Sequence, residues 1–241
     1  MSKPQVSIVI PAFNEEKYIE NTLFSLLKSE QKTQINYEVI LVDNNSTDHT
    51  VKIAEKFKTG MNLRIISEKT QGRGAARARG FKESLGEIIL SADSDTIFHN
   101  SWVETLSSAL KKGEVVAVTT SVRIIDCDPL TNFLVNFFQP KLMVVYRLLL
   151  GHYWLSGFSS GILKSVYESS GGFNAQMQAQ EDLDLSFKVA KLGKIKFINK
   201  PVLFSGRRFK NGLFVGFYDY VKTFYEAFIA KKGNVYLDNP R

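Results

Sequence analysis

The chain has a single cysteine, Cys127, in 241 residues. It can therefore form no intrachain disulfide and no thiolate-based zinc site, and a reducing compartment is expected. Its three histidines, His49, His99 and His152, lie far apart and lack metal-ligand spacing. Met1–Gln5 carries no basic-then-apolar signal-peptide pattern. No run of about twenty apolar residues is found to span a bilayer. The best stretch, Phe133 to Leu150, is interrupted by Asn136, Gln139, Pro140, Lys141 and Arg147. A cytoplasmic location is expected, at most at the cytoplasmic face of a membrane. Acids are in deficit: 24 against 31 basic residues, a net charge of +7. That balance suits an anionic partner (a nucleoside diphosphate, a nucleic acid or an acidic membrane) without choosing among them. The 44% hydrophobic content excludes a disordered chain. The length suits one large α/β domain or two intimately packed halves.

What is present alternates strand and helix signals. Val6 to Ile10 reads as a short strand ended by Pro11. Glu15 to Ser29 carries Ile19, Leu23, Leu26 and Leu27 at helical spacing, with Asn14 as N-cap. Strands are expected at Tyr37–Val42, Leu63–Ser67 and Glu87–Ala92, and a helix at Gly72–Leu85. This repetition predicts a mostly parallel sheet flanked by helices. The second half is less regular. Val115–Val122 and Lys194–Asn199 read as strands, with Pro201 marking the exit of the latter. Phe133–Leu150 reads as a broken apolar helix, Gly157–Gly161 as a small flexible stretch, and Glu181–Leu192 and Leu213–Ala230 as helices. One domain, 1–241, is expected in three parts: a nucleotide-binding lobe 1–96, an acceptor-side lobe 97–205 and a basic aromatic C-terminal helix 206–241.

In such sheets ligands bind outside the carboxyl ends of the strands. Four polar loops fall there: Pro11–Glu15, Asp43–Asp48, Glu68–Arg73 and Asp93–Thr96. In the last, Asp93 and Asp95 follow a buried strand two positions apart. Such a pair repels itself unless a cation sits between, and hard oxygen ligands favour a divalent ion that bridges phosphate. The ordinary alternative is a polar turn. For Asp43 the alternatives are a base contact and an Asx-turn or helix cap. Gly72–Gly80 fails as a dinucleotide fingerprint, because Arg77 stands where the third glycine belongs, and as a P-loop. It remains a basic helix start that admits an anion. Glu181-Asp182 opens a helix, where acids are favoured anyway, or supplies a general base.

The motifs Val6–Glu16, Tyr37–Asp48 and Asp93-Ser94-Asp95, in this order, resemble family 2 glycosyltransferases of the GT-A fold. Ser160-Gly161, Gly171-Gly172-Phe173 and Glu181-Asp182 resemble that family's acceptor-side motifs. The resemblance covers roughly residues 4–200. It implies an inverting transferase that uses a nucleotide-diphospho-sugar, UDP-linked by default, and Mg or Mn. Pro11, Phe13, Glu15, Asp43, Gly72, Asp93 and Ser94 would bind the nucleotide-sugar, and Asp93 and Asp95 the metal. Asp182 would be the catalytic base, with Gly161 and Glu181 on the acceptor side. Charge alone adds Arg73 beside the diphosphate. Ala78 stands where many members carry asparagine, and no Gln-x-x-Arg-Trp follows Asp182, so the processive pattern is absent. Arg207 and Arg208 match a phosphate-meeting region only weakly.

Two rivals remain. A haloacid-dehalogenase-type phosphatase would use Asp93 as nucleophile, leaving the motifs at Pro11 and Asp43 without purpose. A non-catalytic nucleotide-sugar-binding module would keep the pocket and lose turnover. No nucleic-acid motif is present. The acceptor is expected to be a glycan or lipid-linked. Phe217, Val221, Phe224 and Phe228 amid lysines allow peripheral contact with an anionic membrane or packing on the domain.

Overall fold

The computed structural model describes residues 3–27, 30–111 and 113–209, with Tyr218, Lys222 and Tyr225 beyond them. The first half builds four parallel strands: β1 (Val6–Ala12), β2 (Tyr37–Asp43), β3 (Leu63–Ser67) and β4 (Ile88–Ala92). The second half adds β5 (Thr96–Ile97), β6 (Val115–Arg123), β7 (Ser159–Leu163) and β8 (Lys194–Phe204). All eight join one sheet in the order β3-β2-β1-β4-β7-β6-β8-β5. β7 runs antiparallel to both β4 and β6, and β5 antiparallel to β8. The architecture is mixed α/β, a mostly parallel sheet between helices.

The two-residue period of β1 explains the layers. Ile8 and Ile10 point to one side, where α1 (Ile19–Ser25), α2 (Thr50–Glu55) and α4 (Trp102–Leu110) cover them. Val9 points to the other, against α3 (Arg73–Glu83) and α7 (Glu181–Ala190), where Phe81, Leu185 and Val189 are buried. α6 (Lys164–Ser169) adds Tyr167 to that second layer.

Prolines and glycines account for most departures from the sequence reading. β1 continues through Pro11 to Ala12. The Ala12 carbonyl accepts from Asn44 on the β2 side at 2.9 Å. By alternation, Pro11's missing donor faces β4, whose ladder has already ended at Val9–Ser91. β8 likewise passes through Pro201, because its pairing with β6 skips from Ile198 to Val202, a bulge that needs no proline N–H. α1 begins at Ile19, not Glu15, and Asn14 is not its cap. Asn14 takes a φ of 54° and its Oδ1 accepts from the Thr47 backbone at 2.8 Å, tying two loops together. Gly157–Gly161 is no flexible stretch: Gly161 sits inside β7, opposite Leu90 and Val118. A β-carbon there would lie 2.7 Å from Leu90 Cδ2.

The apolar helix is also longer and less broken than expected. α5 (Pro129–Leu150) runs 22 residues, straight through Pro140. Asp128 caps it, its Oδ1 accepting from Leu130 at 3.1 Å and Thr131 at 3.0 Å, and Gly151 ends it in a left-handed turn. Among the described residues it is the one helix long and apolar enough to cross a membrane, which corrects the reading that no such run exists. Only Thr131, Val135 and Met143 are buried. The expected helix Leu213–Ala230, with its aromatic stripe, lies outside the described residues.

Candidate active site

The carboxyl ends of β1 and β4 and the start of α3 enclose a cleft of about 270 Å³. Pro11, Phe13, Glu15, Gly72, Arg73, Asp93 and Ser94 line it, beside Asn44, Arg77 and Gln178. Asp43 does not line it. It ends β2 and its Oδ1 accepts from the Ser46 backbone at 3.1 Å, an Asx-turn that shapes the loop. Asn44 reaches the cleft instead. Its amide donates to the carbonyls of Glu68 and Thr70 at 2.7 and 2.8 Å, and its Oδ1 accepts from Gly72 N–H at 2.8 Å. Gly72 holds a φ of 139°, and a β-carbon there would strike the Gln178 side chain at 2.2 Å. Only glycine lets the chain enter α3 here.

Arg77 is the hub, a role that the sequence does not assign to it beyond displacing a third glycine in a basic helix start. It is 2% exposed. One guanidinium nitrogen donates to Asp93 Oδ1 at 2.5 Å and the other to Glu181 Oε1 at 3.1 Å. A weaker contact reaches Ser91 Oγ at 3.4 Å. Gly157 must lack a side chain, since a β-carbon would meet this guanidinium at 2.2 Å. The signal was present: Arg77 lies three residues from both Gly74 and Gly80, on the small-residue face that α3 buries.

Asp182 stands next to this bridge, its Oδ2 accepting from Gly157 N–H at 2.9 Å. Burial pushes its pKa up to about 6, and the neighbouring charge of Glu181 adds to the rise. Arg77 opposes it and Asp93 adds a smaller increment. Glu181 itself is spent on Arg77. Gly161, inside β7, meets neighbouring strands and not the cleft.

A second arginine pairs with Glu15 at the cleft rim. Arg207, just past β8, grips Glu15 with two bonds of 2.7 and 3.0 Å and lies 2.8 Å from Asp95 Oδ2. Its guanidinium sits 4.7 Å from the centre of the Tyr18 ring. Asp126 fixes the approach, accepting from Ser205 Oγ at 2.9 Å and Gly206 N–H at 2.6 Å. The donor set fits a divalent ion through Asp95. That carboxylate is fully buried and already faces a cation, Arg207, at the spot. Asp93 gives its nearer oxygen to Arg77. Among the described residues no cluster of three His, Cys, Asp or Glu side chains suits a metal, so other ligands would come from a bound diphosphate.

Known proteins resemble this chain in sequence and in fold. S. aureus poly(ribitol-phosphate) beta-N-acetylglucosaminyltransferase TarS is 38% identical over 106 residues, 43% of this chain and 18% of its own length. Haloferax volcanii glycosyltransferase AglE is 40% identical over 42% of this chain and 34% of its own length. The chain thus spans about a third or less of these relatives. The crystal structure of S. aureus TarS 1–349 with UDP-GlcNAc matches with a TM-score of 0.68 at 22% identity, over 84% of this chain and 59% of that one. The mannosyltransferase PcManGT of Pyrobaculum calidifontis, with GDP-Man and Mn2+, matches at 0.67 and 19% identity, over 92% of this chain and 65% of that one. The fold is that of GT-A glycosyltransferases. The family model for glycosyl transferase family 2 matches residues 7–171, and the chain belongs to that family.

Proposed function

We propose that this chain moves a sugar from a nucleotide-diphospho-sugar to an acceptor hydroxyl or lipid phosphate, with inversion at the anomeric carbon. One observation carries the reading: a carboxylate of raised pKa, Asp182, is electrostatically joined through Arg77 to Asp93 in the cleft. A base poised near neutrality is what a hydroxyl nucleophile requires. The donor is held by residues up to 96 and the acceptor by 97–205. Phe13 and Pro11 pack the base, Asp93 and Ser94 the ribose, and Arg73 and the start of α3 the diphosphate. Asp182 takes the acceptor proton as the acceptor oxygen bonds to the anomeric carbon. The bond from that carbon to the diphosphate breaks, and its electron pair leaves with the nucleotide. A bound Mg or Mn ion, held by Asp95 with Asp93 beside it, would supply positive charge to the departing diphosphate.

UDP is the default nucleotide, supported by the UDP-GlcNAc complex of TarS; the GDP-Man complex of PcManGT keeps guanosine in the screen. The acceptor is a glycan or a lipid-linked group met at the cytoplasmic face of an anionic membrane. The test is a donor screen with Mn or Mg, read by release of nucleoside diphosphate. Donor binding without turnover on any acceptor would instead make the chain a non-catalytic binding module. A phosphatase of the haloacid-dehalogenase type would need Asp93 as a nucleophile, and Asp93 is buried against Arg77.

A further inference from the structure

α5 is built inside out. Its carboxamide side chains face the protein. The Asn136 amide spans Ile124, its Oδ1 accepting from Ile124 N–H at 2.8 Å and its nitrogen donating to the carbonyl at 2.9 Å. Asn132 grips Cys127 the same way, at 3.3 and 2.9 Å, and Gln139 Oε1 accepts from Val122 N–H at 3.3 Å. Its apolar residues face outward: Leu148 and Leu149 are 77% and 78% exposed, Leu130 and Phe133 66% and 61%. A helix at a water-facing surface shows the opposite pattern. We propose that this outward face of α5 lies in the plane of an anionic lipid bilayer and, resting on the transfer reading above, that the acceptor is drawn from that bilayer.

Three features choose the bilayer and its geometry. First, the only charged residues between Pro129 and Leu150 are Lys141 and Arg147, both basic, so the face complements anionic headgroups. Lys141 Nζ lies 2.9 Å from the centre of the Phe137 ring, a charge perched at the edge of an apolar face. Second, the surface is a convex rod about 33 Å long at 1.5 Å per residue, which a fluid bilayer accepts without a matching groove. Third, the carboxamide bonds hold the first half of α5 against the end of β6 and the segment that follows it, over successive turns. A spanning α5 would strip those backbone groups in hydrocarbon, so the helix lies flat. The seat also adjoins the candidate base. Tyr146, on α5, has its phenol pKa raised by burial and further by the charge of Asp182. Its ring meets His152, which packs on Phe187 of α7.

The full chain is floated with vesicles of phosphatidylcholine and phosphatidylglycerol, and with phosphatidylcholine alone, at low and high salt and without donor. Flotation with the anionic vesicles, weaker on neutral ones and in salt, is expected. The variant Phe133→Ser/Phe137→Ser/Leu148→Ser should lower partitioning by about tenfold or more, since each exposed side chain loses its burial in lipid. Its unfolding midpoint should stay unchanged, as these positions are exposed. Lys141→Glu/Arg147→Glu should weaken binding at low salt alone. Absence of flotation for the wild-type chain under every condition overturns the seat. So does a vesicle-free dimer that the triple variant dissociates, because a second copy would then own the face. Quenching of Phe137→Trp by lipids brominated near the bilayer centre, and not near the headgroups, overturns the flat geometry. Because flotation is read without donor, failure of the donor screen would remove the transfer reading and its lipid acceptor while the seat stands.

Discussion

Two arginines hold acids that line one cleft, Arg77 on Asp93 and Arg207 on Glu15, and they differ in kind. Arg77 comes from the middle of α3 and is 2% exposed, with Asp93 on one side and Glu181 on the other. It joins Asp93, in the first half of the chain, to Glu181, in the second. Arg207 comes from beyond β8, its side chain is 19% exposed, and the acids it meets, Glu15 and Asp95, lie in the first half of the chain. A buried ion bridge between two layers is structure: removing its cation leaves two uncompensated charges. Arg207 also faces buried acids, but its own side chain is partly exposed, so another cation arriving from solvent can take its place. The same chemical group thus serves as a fixed strut in one place and an exchangeable plug in the other.

The contrast is most sharply broken at Asp182, the neighbour of the Glu181 that the Arg77 strut holds. Asp182→Asn is expected to lower kcat by about 10²–10⁴-fold while donor affinity stays near wild type. Single-turnover transfer and donor titration measure the two separately, and normal transfer would remove Asp182 from its role. Next comes the strut. Arg77→Met should destabilise the fold by about 3–5 kcal/mol, since Asp93 and Glu181 stay buried without their cation. That corresponds to roughly 10 °C in the unfolding midpoint. Adding Asp93→Asn and Glu181→Gln should recover most of the loss; no recovery would mean that packing, not charge, is what Arg77 supplies.

A smaller effect follows from pH. Burial and Glu181 hold the Asp182 pKa at about 6, above its ordinary 3.8. Between these values the folded chain binds more protons than the unfolded one, so this group's contribution to stability falls as pH rises through that window. Activity moves the other way, because the base must be ionised. The ratio kcat/KM should climb through pH 6 and fall about tenfold per unit below it. A stability profile in Asp182→Asn that keeps the wild-type slope between pH 4 and 6 would assign the slope to another carboxylate.

The legible part of this molecule was the part whose chemistry is local. β-branched runs and helical spacing marked β1 to β4 and α3, and the polar loops after those strands carry most of the residues that line the cleft. Three things escaped. Pro11 and Pro201 read as strand ends, yet each sits where no ladder donor is needed, a fact set by neighbouring strands. Gly157–Gly161 read as flexible because close packing by Arg77 and Leu90 is invisible without the partners. The carboxylates Asp93, Asp95 and Glu15 read as acids awaiting a ligand, and their arginines come from 16, 112 and 192 positions away in the chain.

The smallest expected effect tests the plug. Arg207→Gln should cost less stability than Arg77→Met, since solvent reaches the Arg207 side chain and glutamine keeps a donor toward Glu15, although both acids stay buried. It should also remove one cation from beside the Asp95 and Glu15 carboxylates. Mn or Mg should then bind several-fold more tightly in the absence of donor, by titration calorimetry, because the guanidinium no longer has to leave. A rise in the metal dissociation constant would show that Arg207 helps to assemble the cation site. The contrast would then collapse, since both arginines would be struts. A loss of stability as large as that of Arg77→Met would collapse it from the other side, by showing that exposure at the cleft mouth gives Arg207 no freedom to yield.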